Sequence, residues 1–152
     1  MANSIDIPQP SATAIRLFSF MARFEFALKE SGYVAGEEGK RVSPGWDKFE
    51  ADVMKTNVFE LLRASGAAAT LLHSPPRRQI RCGDGLKWGD PLQIGNAREL
   101  CVAVRQVRNN LFHGGKSGAD PRDNELCEDA VEALIALLEV APRVRNAFLG
   151  EY

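Results

Sequence analysis

Between positions 11 and 31, apolar residues recur at helical spacing along two seams: Leu17, Met21, Phe24 and Leu28 on one, Ile15, Phe18, Ala22 and Phe26 on the other. A helix on the surface of a bundle needs only one such seam, so this one is either central or shared with a second chain. Gly32 ends it, and the polar stretch to Pro44 reads as a loop. A second helix is predicted from Pro44, a residue suited to a first helical turn, with Trp46, Phe49 and Val53 at three- and four-residue steps. Asn57 restarts it as Val58, Leu61 and Leu62, and the alanine-rich run 66–72 shows no decisive period.

The helical rhythm breaks over 74–95, where Pro75-Pro76 cannot occupy a helix interior and Gly83, Asp84, Gly85, Gly89 and Pro91 mark turns. A small hairpin around Gly83-Asp84-Gly85 fits this stretch. A connection of this length is either functional or an insertion that covers one end of the bundle. Asn96 with Glu99 has the shape of a capping box, and Leu100, Val104, Val107 and Leu111 then form the core seam of a third helix that Gly114-Gly115 terminates. Asp120-Pro121 opens the last long helix, which carries Leu126, Ala130, Ala133, Leu137 and Val140 on one side and Val131, Ile135 and Leu138 on another. Pro142 kinks or restarts it.

These elements predict an all-α fold: an antiparallel bundle of four to five helices spanning 11–152 as one domain, after an N-terminal tail of residues 1–10. Two helices that are apolar on two sides point to a homodimer, or alternatively to a five-helix monomer with a buried central helix.

Composition narrows the class. A chain of 152 residues with 45% hydrophobic and 26% charged positions can bury a core without a metal or disulfide staple. The absence of a long apolar run and of a signal-peptide layout predicts a soluble, cytoplasmic protein with no membrane partner. Cys82, Cys101 and Cys127 match neither a disulfide framework nor a metal pair and are expected to be reduced. The net charge is only -1, yet residues 77–122 hold nine Lys/Arg against four Asp/Glu. That basic third is either a footprint for a polyanion or a set of solvated arginines.

Catalytic side chains are scarce. His73 and His113 are the only histidines, and there is no Gly-rich phosphate loop, HExxH or clustered metal ligand set. His73, between Leu72 and Ser74-Pro75-Pro76, reads as a residue closing a helix. His113 has richer company, because the stripe opposite the core seam holds Arg98, Val102, Arg105, Asn109 and His113. Asn109 and His113 are helical neighbours, so the amide can orient the imidazole or share its ligand. A histidine in a last helical turn also has a structural explanation, since it interacts favourably with the helix dipole.

The string Arg108-Asn109-x-x-x-His113, late in a bundle helix and followed by Gly114-Gly115 and Lys116, resembles the Arg-x4-6-His signature of the HEPN superfamily (higher eukaryotes and prokaryotes nucleotide-binding domain). The resemblance covers about residues 11–149 but leaves 74–95 unexplained. It implies a homodimeric endoribonuclease that needs no metal or cofactor and cleaves RNA through the 2′-hydroxyl, in some members as a toxin or defence nuclease with a nucleotidyltransferase-like antitoxin. Catalysis would then fall to Arg108, Asn109 and His113, with Arg105 and Lys116 as substrate contacts. Other members are non-catalytic nucleotide-binding or protein-interaction modules, and that is the alternative.

Overall fold

A computed structural model describes residues 4–113 and 120–151, the side chain of His113 excepted. Ser11 sets where the first helix begins: its backbone is extended and its hydroxyl accepts the Ala14 N–H at 3.2 Å, satisfying one donor that a helix start leaves unpaired. Helix α1 (Ala12–Glu30) follows, and residues 4–10 before it carry no regular structure. Gly32, with φ at 87°, turns the chain away from it.

Strands β1 (Val34–Ala35) and β2 (Ser43–Pro44) form a minimal antiparallel pair. Pro44 is therefore not the first turn of a helix, as its residue type suggested. The Gly45 N–H bonds the Tyr33 carbonyl at 2.8 Å, and a Cβ on Gly45 would lie 2.7 Å from the Val34 nitrogen, so a close backbone crossing occupies this point. Helix α2 (Trp46–Val53) starts beyond it. Helix α3 (Val58–Ser65) restarts after Asn57 as expected, and the alanine-rich run becomes the short α4 (Ala69–His73).

The Pro/Gly-rich stretch folds as a hairpin, β3 (Arg77–Cys82) and β4 (Gly85–Pro91), closed by a two-residue turn with Gly83 at φ 61°. An irregularity between Arg77 and Gln79 shifts its register. The expected all-α bundle of four to five helices is thus corrected to a mainly helical fold. Among the described residues it has seven helices and two small antiparallel sheets. The physical reason is local: two prolines and a glycine turn deny 75–91 a helix, and paired extended strands are the remaining way to satisfy its backbone.

Helix α5 (Ala97–His113) is capped as a displaced box, with the Asn96 Oδ1 accepting the Glu99 N–H at 2.8 Å and the Glu99 carboxylate accepting the Gly95 N–H at 3.1 Å. Helix α6 (Pro121–Glu139) starts from Asp120, whose carboxylate accepts the Arg122 N–H at 2.8 Å. Pro142 opens a separate helix, α7 (Pro142–Leu149), folded back along α1.

Helix α6 is the centre of the molecule. It packs against α1, α3, α4, α5 and α7, and most of both apolar stripes is covered: Leu126, Ala130, Ala133, Leu137, Val131 and Leu138 are buried, Ile135 and Val140 half-buried. Its two-sided pattern reflects centrality within one chain. Helix α1 differs. Leu17, Met21, Phe24 and Leu28 are buried, while Ile15 is 51% exposed, Ala22 is exposed and Phe18 and Phe26 are half-buried. Among the described residues no helix is long and apolar enough to cross a membrane.

Candidate functional site

The motif helix α5 buries Leu100, Val104 and Val107 and turns Arg98, Val102, Arg105, Arg108 and Asn109 outward. Two carboxylates that motif reasoning passes over meet this outward face. Glu50, on α2, is buried and ion-pairs with Arg105, with Arg98 at 4.0 Å on its other oxygen. Glu25, on α1, ion-pairs with Arg108 through one oxygen and accepts the Trp46 indole N–H through the other at 2.9 Å. Trp46 links the two pairs, because the Arg105 guanidinium lies 4.8 Å from its ring centre. Arg108 Nε completes the chain by donating to Asn109 Oδ1 at 3.3 Å. The result is one continuous polar seam, Arg98, Glu50, Arg105, Trp46, Glu25, Arg108, Asn109, drawn from three helices.

Electrostatics follow from burial. Burial raises the pKa of Glu50 above its ordinary value, and the Asp47 charge adds to this, while Arg105 and Arg98 pull it down. The same desolvation, reinforced by Glu50, pushes the Cys101 thiol up to about 12, so Cys101 packs as an inert hydrophobe. Cys127 is likewise buried and raised to about 12, and Cys82, Cys101 and Cys127 are free thiols.

Each predicted site residue has a distinct standing. Arg108 and Asn109 are brought together at the surface, Asn109 exposed and Arg108 half-buried. Arg105 is held by Glu50, by Trp46 and by the Cys101 carbonyl at 3.4 Å, so its guanidinium chiefly balances a buried carboxylate. The His113 backbone closes α5, but its imidazole, Lys116 and the Gly114-Gly115 exit lie outside the described residues. His73 ends α4 at the surface, as its position suggested. Glu25 and Glu50 could have been flagged from the chain itself: each is an acid directly after a phenylalanine of a predicted core seam, Phe24 for one and Phe49 for the other. Which arginine each would meet is a long-range contact that no local pattern encodes.

Beside the seam runs uncovered apolar surface. Phe112 is 70% exposed and meets Phe18 of α1 edge-on at 6.1 Å between ring centres, which joins it to Ile15 and Ala22 on the outer stripe of α1. Among the described residues no group of three His, Cys, Asp or Glu could hold a metal ion. No known family model, curated protein or solved structure matches this chain.

Proposed function

We propose that the chain is a metal-independent endoribonuclease of HEPN type that acts as a homodimer. The observation that carries the reading is the placement of Arg108: its guanidinium is oriented by Glu25 and Asn109 at the surface, five residues before His113 in the last two turns of α5. Of its five N–H donors, contacts among the described residues use two, which leaves three for a phosphate.

RNA carries its own nucleophile. His113 accepts the proton of the 2′-hydroxyl as that oxygen bonds to phosphorus, and Arg108 stabilises the charge that builds on the phosphoryl oxygens. The P–O5′ bond breaks, giving a 2′,3′-cyclic phosphate, and the departing oxygen takes a proton to become a 5′-hydroxyl. In-line displacement puts entering and leaving oxygens on opposite sides, so a second copy's His113 donates that proton. The apolar surface of Ile15, Ala22 and Phe112 flanking the motif supports such a twofold pairing.

The test is cleavage of mixed RNA in EDTA. Cleavage that survives chelation, yields cyclic phosphate ends and vanishes in both Arg108→Ala and His113→Ala supports the reading; cleavage unchanged by either substitution overturns it. Sedimentation adds a second arm, in which Ile15→Asp converts dimer to monomer and abolishes cleavage together.

One observation favours a non-catalytic binding module instead. Arg105 and Arg108 each already have a carboxylate partner, which a purely structural motif would also require. Intact RNA with wild-type protein, together with a melting temperature raised by a nucleotide or protein partner, selects that reading.

A further inference from the structure

The seam changes where the positive charge of the chain is available. Of the basic residues in the middle third, Arg98, Arg105 and Arg108 are matched by Glu25 and Glu50, and Arg122 is fastened to the Ser74 and Pro75 carbonyls at 2.8 and 3.2 Å. Among the described residues, the exposed remainder sits on the β3–β4 hairpin: Arg77, Arg78, Lys87 and Arg81, the last donating to the Gly83 carbonyl at 2.9 Å, against Asp84 and Asp90. Arg77 uses its backbone carbonyl to accept the Asn110 amide at 2.9 Å, which docks the hairpin on α5. Its guanidinium has no partner among the described residues.

Between this hairpin and the bundle lies a cavity of about 600 Å³, within the range of small-ligand sites. The hairpin contributes Trp88, 39% exposed, and Arg77; the bundle contributes His73, Arg122 and an apolar floor that includes Leu126. It opens on the side of α5 that carries Val107, Asn110 and Leu111, away from the side where Arg108 meets Glu25. An indole, two guanidiniums and an imidazole beside an apolar floor suit a planar heterocycle bearing an anionic group.

We infer that this cavity is a nucleotide-binding site, in which a base stacks on Trp88 and its phosphate is held by Arg77. Two sources share that chemistry, a free nucleoside monophosphate and an unpaired nucleotide of an RNA strand. Stacking on an aromatic side chain tolerates any base, so selectivity among bases is modest. The inference uses residues apart from the Arg108 seam and requires no cleavage.

The experiment is calorimetric titration of the full chain with each of the four nucleoside 5′-monophosphates, with a short 2′-deoxy oligonucleotide, and with inorganic phosphate alone. None of these ligands carries a 2′-hydroxyl beside a phosphodiester, so failure of the cavity and failure of the nuclease reading are separable. Saturable binding of a monophosphate marks a free-nucleotide site, and binding of the oligonucleotide alone marks a strand-reading site. In either case Trp88→Phe retains binding, Trp88→Ala loses it, and Arg77→Ala weakens it about tenfold. Arg77→Ala keeps the carbonyl that docks the hairpin, so its melting temperature stays at the wild-type value. The inference is overturned if no nucleotide ligand binds, if phosphate alone binds as well as the nucleotides, or if Trp88→Ala binds like wild type.

Discussion

The two sides of α5 handle charge in opposite ways. Toward α1 and α2, every arginine it presents meets a carboxylate and the pairs are linked through Trp46. Toward the hairpin, the Asn110 amide donates to the Arg77 carbonyl and so joins the helix to a strand whose exposed cations meet no carboxylate among the described residues. The arginines on one side of α5 are therefore held by carboxylates, whereas the cations of the hairpin beyond its other side are not. Local net charge alone does not say how many donors a cation has left for a ligand; the partners it meets from elsewhere in the chain decide that.

The largest effect expected of that contrast is catalytic. Removing the Arg108 guanidinium or the His113 imidazole should reduce RNA cleavage by roughly 10²-fold or more, measured as single-turnover rates in EDTA. Next is stability. Arg105→Ala strips a buried carboxylate of its main partner and should cost about 3–5 kcal/mol, toward the lower figure because Arg98 remains, read from urea unfolding. A loss no greater than that of an exposed hairpin residue would erase the distinction between the two sides.

A smaller effect is pH-dependent. Folded Glu50 holds its proton to higher pH than the unfolded chain does, so its contribution is complete below about pH 4.3 and is lost as pH rises through the elevated folded value. The melting temperature of Glu50→Gln relative to wild type should therefore improve between about pH 4 and about pH 7. A decline over that interval would mean that the arginines outweigh burial. The smallest effect belongs to the hairpin: Arg78→Ala, on an exposed strand position, should change stability by no more than about 0.5 kcal/mol.

What the chain announces in advance is mostly its helix starts. Ser11, Asn96, Asp120 and Pro142 act through bonds or dihedral limits within a few residues, and each opens a helix where its type predicts one. Pro44 misleads because the approach of Gly45 to Tyr33 and Val34, invisible locally, decides its backbone. The two-sided pattern is legible in both α1 and α6, but only packing separates a helix covered by five neighbours from one with an open flank. At the site, adjacency of Arg108 and Asn109 follows from spacing. Their relation to Glu25, like that of Arg105 to Glu50, arises across 83 and 55 residues of chain and needs the tertiary fold.

Residues 108 to 110 engage α1, solvent and the hairpin in succession, each through its own bearing around the helix axis. An extra residue inserted just ahead of them would swing all three by about 100° and undo every attachment in one event. The span from Val107 to Asn110 thus has a fixed length, and lineages of this chain can lengthen the Gly83-Asp84 turn far more readily than this stretch of helix.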